Sequence, residues 1–144
     1  MIRKITHSDI DRVIVLANQL WPRKQIAADK MRAVICMYIE DPAYFILGYE
    51  GEGTILGFIT VSIRWALFYQ GRVAIIEDLI VEKSHRGQGI GCELVRHAEN
   101  TIMKEESVKG IELCSDLHRE ETFGFWEKCG YERLAYHFRK ELER

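Results

Sequence analysis

The sequence is short of several things, and each shortage narrows what the chain does. Its four cysteines, Cys36, Cys92, Cys114 and Cys129, include no C-x-x-C pair, so neither a structural zinc site nor a disulfide framework is expected. No apolar run approaches the ~18 residues needed to cross a bilayer. The amino terminus, Met1-Ile2-Arg3-Lys4-Ile5, turns polar after Ile5, where a targeting segment would carry its apolar core. A cytoplasmic protein with no membrane partner is expected. Positive charge is not in excess: 20 Lys and Arg against 22 Asp and Glu leave a net charge of −2. That argues against a general nucleic-acid binder, which needs a basic face. Repeats, low-complexity tracts and linkers are missing as well. What is left, 47% hydrophobic and 29% charged residues in a chain of 144, suits a single domain spanning 1–144 with its own core.

The informative stretch is 74–106. An apolar run from Ala74 to Val81 is broken only by Glu77 and Asp78, and a polar turn, Glu82-Lys83-Ser84-His85, follows. Next come three alternating glycines in Arg86-Gly87-Gln88-Gly89-Ile90-Gly91, and then a helical run. Strand, glycine turn and helix make a phosphate site: small residues let backbone amides approach an anion, and the helix start adds unpaired donors and the positive dipole end. Arg86 adds a planar donor fork. Two nucleotide motifs fail here. No Gly-Lys-Ser or Gly-Lys-Thr follows, and the dinucleotide pattern would need glycine where Cys92 stands. Arg86, Gly89 and Gly91 instead match [Q/R]-x-x-G-x-[G/A], which resembles the acetyl-coenzyme A signature of the GNAT superfamily of N-acetyltransferases.

The rest of the chain agrees with that resemblance. The spacing predicts a strand over 2–5, a helix over 9–20 stopped by Trp21-Pro22, and a second helix over about 26–39 ended by Asp41-Pro42. Strands follow over 44–49 and 54–65, joined by a turn at Glu50-Gly51-Glu52-Gly53. After the central strand, turn and helix, Lys109-Gly110 breaks the helix. A short strand over 111–114, a helix over 120–129 capped by Gly130, and a closing strand or hairpin over 131–142 complete the order. Strand, helix, strand implies one parallel pair. Phe125-Trp126-Glu127-Lys128-Cys129-Gly130-Tyr131 is similar to a segment near the end of the family's fold. Glu112 to Asp116 ahead of His118-Arg119 resembles aminoalkylphosphonate N-acetyltransferases, and Leu20-Trp21-Pro22 resembles aminoglycoside 6'-N-acetyltransferases. The resemblance implies an α/β fold: a mixed, mostly antiparallel sheet of six or seven strands with about four helices.

The resemblance also implies acetyl-coenzyme A as co-substrate, held by residues 86–91 (Arg86, Gly87, Gln88, Gly89, Ile90, Gly91) and by the backbone of Leu79, Ile80 and Val81. Arg119 stands where many members place a cofactor-contacting asparagine. Trp126 stands where many place the tyrosine that protonates the leaving thiolate; an indole N–H donates a hydrogen bond but is no acid at neutral pH. For the base, the two acids in the apolar strand are the candidates, since burying an unpaired carboxylate is expensive. Strict alternation puts Glu77 with Leu79 and Val81, and Asp78 with Ile76 and Ile80. Glu77 is the first choice and Asp78 the second. Trp21 and Asp116 are expected at the acceptor, a small cationic amine. Cys114, Asp116 and His118 are one ligand short of a metal site, and none is expected. A homodimer is compatible with the aromatics Trp21, Trp65, Phe68 and Tyr69, which suit an acceptor site, a core or a dimer contact alike. The alternatives are a peptide acetyltransferase and a non-catalytic coenzyme A-binding module.

Overall fold

The computed structural model describes residues 1–115 and 120–144. They form two compact units, Met1–Leu113 and Cys114–Arg144. In the first, strands β1 (Ile2–Lys4), β2 (Tyr44–Gly51), β3 (Thr54–Ala66), β4 (Gly71–Val81) and β5 (Val108–Leu113) lie side by side in chain order. The pairs β1–β2, β2–β3 and β3–β4 are antiparallel and β4–β5 is parallel. Short turns explain the pairs β2–β3 and β3–β4, whereas β1 reaches β2 through residues 5–43, which hold two helices. Glu52 and Gly53, both at positive φ (53° and 75°), form the two-residue connection whose twist matches the flanking strands. The parallel pair is reached through a helix, α3 (Ile90–Met103), as a crossover requires.

Helices cover both faces. On one, α1 (Ile10–Leu20) and α2 (Ala28–Glu40) bury Ile10, Val13, Leu16 and Ile35 against Ile46, Phe58 and Ile80 of the sheet. The i, i+3, i+6, i+7 spacing of Ile10, Val13, Leu16 and Ala17 gives α1 this stripe. Asp9 secures its start, accepting from the Thr6 amide (2.8 Å) and from both terminal nitrogens of Arg3 (2.8 and 3.0 Å). On the other face α3 packs through Leu94, Val95 and Ala98, all fully buried. A side chain at Gly57 would come within 3.4 Å of Leu94 and Ile90, so that residue and its alternates Ile59 and Val61 face α3.

Two expectations need correcting here. Gly110 does not break a helix. α3 ends at Met103, and Gly110 lies inside β5 under the Tyr69 ring, where an added Cβ would sit 2.5 Å from a ring carbon. The glycine serves close approach. Among the described residues the sheet also has five strands in place of six or seven, because residues 131–144 form no strand. Leu134, Tyr136 and Phe138 alternate as a strand should, yet they are 82%, 82% and 90% exposed. A period of two makes a strand only when a neighbour takes its hydrogen bonds and a surface takes its apolar face, and this unit offers neither. The second unit is built on α4 (Glu120–Lys128). It ends at Gly130 (φ 95°), where Gly130 N–H donates to Glu127 O and Tyr131 N–H to Trp126 O, as a left-handed glycine cap allows. Cys114 Sγ lies 3.3 Å from His137 Nδ1 within this unit.

Candidate active site

One irregularity in β4 builds the site. Its register on β3 pairs Asp78 with Thr60 and Ile76 with Val61, which leaves Glu77 as the extra residue of a β-bulge. Residues paired across a sheet share a face. Asp78 and Ile80, opposite Thr60 and Phe58, therefore face α1 and α2, whereas Ile76, opposite Val61, faces α3. The expected sharing of a face by Asp78 and Ile76 fails at the bulge, where alternation resets. Pairing of β4 with β5 stops at the same place, with Ile76 opposite Leu113. From Glu77 to Val81, no strand runs along that edge of β4 among the described residues.

The bulge brings both acids to the side of α1 and α2, at different depths: Ser62, which binds Glu77, shares a face with Thr60, and the Glu77 charge acts on Asp78 and Tyr38. Glu77 is exposed and accepts a hydrogen bond from Ser62 Oγ at 2.8 Å. Asp78 is half-buried, and its Oδ2 accepts from Thr60 Oγ1 at 2.6 Å. Thr60 itself is a buried polar side chain, 5% exposed. Burial raises the Asp78 carboxyl above its ordinary value and the Glu77 charge adds to this, while the Thr60 bond pulls the other way. Asp78 opens into a cleft of about 370 Å³, counting its mouth. Helix α1 supplies Val13 and Ala17 to the wall, with Trp21 just past its end; α2 supplies Met31, Val34, Ile35 and Tyr38; Ile46, Phe58 and Thr60 join Asp78 on the sheet. Burial and the carboxylates of Glu77 and Asp78 push the Tyr38 phenol far above its ordinary range, so it remains a proton donor.

Beyond Val81 the chain makes a short 3-10 turn (Lys83–His85) and then the glycine turn. Gly87 and Gly89 have φ of 79° and 87°, with no atom within 4 Å of where a Cβ would stand. Backbone conformation alone demands glycine there. The first bond inside α3 runs from Glu93 N–H to Gly89 O, so the amides of Ile90, Gly91 and Cys92 precede the helical ladder and present donors. Arg86 is exposed, and its Nε donates to Val81 O at 3.0 Å, at the end of the open edge. The turn is tied to α1 by Glu82: Arg12 Nη2 donates to its Oε2 at 2.6 Å, and Gln19 Nε2 to its Oε1 at 2.8 Å. Gln19 Oε1 accepts from the Lys83 amide at 3.2 Å. Hydrogen bonds from Gln19 and Arg12 hold the Glu82 carboxyl below its ordinary value.

Of the residues singled out from sequence, Asp78 and Trp21 meet in the cleft, and Leu79 to Val81 form the open edge that leads into Arg86–Gly91. Glu77 lies outside the cleft. Asp116 and Arg119 fall outside the described residues. Trp126 belongs to the second unit, edge-on to Phe125 (5.0 Å) and Tyr131 (5.6 Å). Sequence reasoning did not pick out Thr60, Tyr38, Arg12, Gln19 or Glu82. Thr60 carried a signal, as one polar residue within Ile59-Thr60-Val61. The pairing of Arg12 and Gln19 with Glu82 carried none, because it joins segments 70 and 63 residues apart. No group of three or more His, Cys, Asp or Glu among the described residues is arranged to hold a metal ion.

An open strand edge thus runs into glycine-freed amides at a helix start, with an acid in a small cleft beside it. Residues 11–131 match the acetyltransferase (GNAT) family, and the chain belongs to it. It is 24% identical over 141 residues to the aminoalkylphosphonate N-acetyltransferase of Salmonella typhimurium, covering 98% of this chain and 90% of that one. It is 29% identical over 104 residues to the aminoglycoside N(6')-acetyltransferase type 1 of Klebsiella aerogenes, covering 69% and 68%. The fold is shared with a solved structure described as a transcriptional regulator from Bacillus halodurans C-125, with a TM-score of 0.89, 22% identity and 99% of both chains covered. The protein is an N-acetyltransferase of the acetyl-coenzyme A-dependent kind that defines this family.

Proposed function

We propose that the protein moves the acetyl group of acetyl-coenzyme A directly to the primary amine of a small molecule, with Asp78 as base. The bulge at Glu77 carries this reading, because a single extra residue both opens the edge of β4 and turns Asp78 into the cleft. The open edge 77–81 offers alternating amide and carbonyl groups to an arm that itself contains amides, and one of its N–H groups is the donor for the thioester oxygen as charge develops there. The amides at 90–92 and the Arg86 guanidinium take the diphosphate. The bound thioester supplies the activated acetyl group. An amine is nucleophilic only when neutral, and a half-buried carboxylate with a raised pKa is suited to removing its proton near neutral pH. The Thr60 hydroxyl fixes the carboxylate's orientation. Glu77, exposed and outside the cleft, adds negative potential. A small cleft favours a small acceptor over a peptide chain, which would need an open groove.

The test follows free thiol released from acetyl-coenzyme A across an amine panel, with thermal shift as the binding readout. Acetyl-coenzyme A raises Tm, and thiol release depends on amine. No Tm shift at millimolar acetyl-coenzyme A would sink the proposal. Gly89→Glu, which puts bulk and negative charge into the phosphate turn, abolishes the shift; normal affinity in that variant would refute the cofactor site.

A further inference from the structure

The cleft beside Asp78 says more about the acceptor than that it is an amine. We infer that the preferred acceptor is a primary amine on an uncharged hydrophobic stem, an alkylamine or arylalkylamine, and not a phosphonate-, phosphate- or sugar-bearing amine. The inference rests on the proposed reading that Asp78 receives the amine.

The carboxylate and the two hydroxyls of the cleft are gathered together. Asp78 and Thr60 sit opposite each other on β4 and β3, and Tyr38 adds a hydroxyl from α2. One ammonium can be neutralised there, with the carboxylate as its counter-ion and the faces of Tyr38, Trp21 and Phe58 available to cation–π contact. Apart from these, Val13, Ala17, Met31, Val34, Ile35 and Ile46 offer only aliphatic or thioether surface. Among the described residues, no lysine, arginine or histidine lines the cleft, so a phosphonate or phosphate on the acceptor would enter without a counter-charge. A sugar ring would bury hydroxyls against hydrocarbon, at a cost on the order of tenfold in affinity for each one left unpaired. A hydrocarbon stem meets the opposite condition and gains about fourfold per methylene removed from water. The cleft is small, its volume of about 370 Å³ including open solvent at the mouth, which suits a short stem.

The reaction on such an acceptor balances simply. The ammonium gives one proton to Asp78, and the freed nitrogen lone pair attacks the thioester carbonyl. The C–N bond forms as the C–S bond breaks. The departing thiolate takes the second nitrogen proton to leave as coenzyme A thiol, and Asp78 returns its proton to solvent.

The experiment measures kcat/KM at saturating acetyl-coenzyme A for propyl-, butyl-, pentyl- and hexylamine and phenethylamine, beside 2-aminoethylphosphonate and kanamycin. The expected result is a rise of about fourfold per methylene until the cleft is full, with phenethylamine at least tenfold above both polar acceptors. A flat alkylamine series, or a preference for 2-aminoethylphosphonate or kanamycin, overturns the inference and leaves N-acetyl transfer standing. If no amine is acetylated, calorimetry with coenzyme A present decides. Phenethylamine binding then supports the cleft assignment and removes the transfer reading, and no binding removes both. A second arm uses Val34→Lys, a position 53% exposed on the α2 wall and so tolerant of a charge. In that variant, with Tm confirming the fold, selectivity for phenethylamine over 2-aminoethylphosphonate falls at least tenfold. Unchanged selectivity overturns the inference.

Discussion

Asp78→Asn is expected to make the protein more stable and a much poorer enzyme. The amide is close in shape to the carboxylate, and its Oδ1 still accepts from Thr60 Oγ1, which sits 2.6 Å from Asp78 Oδ2, so packing is preserved. Two functions go. A positioned base is worth about 10²–10⁴-fold in rate. The cleft has a mouth through which water can take over part of that role, so the lower end applies and kcat falls about 100-fold at neutral pH. The amine also loses its counter-ion. A hydrogen bond to a charged group contributes about 1.5–3 kcal/mol, and taking the lower figure for a half-buried site, KM for the amine rises about tenfold. Stability moves the other way. Burial raises the Asp78 pKa above its unfolded value of 3.8, so the folded state holds its proton more tightly. Stability therefore falls as pH rises from the unfolded to the folded pKa, and the penalty is full above both. Asn carries no such penalty: the variant melts higher at neutral pH, and its advantage disappears below about pH 3.8. The assays are steady-state kinetics over pH 5–9 and thermal melts over pH 3–8. Wild type loses kcat/KM on the acid side of a limb lying above the ordinary carboxylate range, and Asn removes that limb. The reasoning is refuted if Asp78→Asn keeps wild-type kcat, if Glu77→Gln costs more than Asp78→Asn, or if the loss of rate comes with a lower Tm at neutral pH.

Three further outcomes are expected. Gly89→Ala puts a Cβ on a residue at φ 87° with open space around it, so it costs only the left-handed strain of ~1–2 kcal/mol; Tm drops a few degrees and KM for acetyl-coenzyme A rises, while kcat at saturation holds. A kcat loss with unchanged KM would place the turn elsewhere in the mechanism. Gly57→Ala brings a Cβ to 2.8 Å from Ile80 O and 3.3 Å from Leu94, so urea melts show a loss of ~1–3 kcal/mol, and an unmoved midpoint would mean that β3 and β4 separate freely. Asp9→Asn removes a carboxyl that Arg3 holds at a pKa of about 2. The Asp9 contribution is full above pH 3.8 and fades as pH falls through about 2, so the variant is less stable at neutral pH and its melts lose that part of the acid slope; an identical slope in both proteins would show that the pair contributes nothing.

Most of the fold could be read from sequence because its elements are short-range patterns. The stripe of α1, the Glu52-Gly53 turn and the Gly130 cap each follow from neighbours within one or two turns of chain. The glycine turn between β4 and α3 was legible for the same reason, since the alternating glycines 87, 89 and 91 are a local signal. The choice between Glu77 and Asp78 was not. Alternation was counted through an unbroken strand, and the extra residue at Glu77 shows itself only in the register against β3, seventeen residues upstream at Thr60. Which acid enters the cleft is a property of two strands together. Residues 131–142 failed in the opposite sense. Leu134, Tyr136 and Phe138 have the right period, but pattern measures willingness to pair, and a strand also needs a partner.

The edge of β4 from Glu77 to Val81 has a consequence for how this site can change over generations. A ligand lying along that edge meets peptide groups, which every residue except proline carries in the same form. Leu79, Ile80 and Val81 are then free to drift among residues of similar shape, judged by the packing of their side chains and not by the ligand. Recognition written in the main chain leaves almost no spelling behind. In this chain the marks that remain are the two glycines at positive φ and the arginine beside them, while under the proposed function Asp78 and the walls of its cleft, which work through side chains, are where substitutions would redirect the enzyme to a new acceptor.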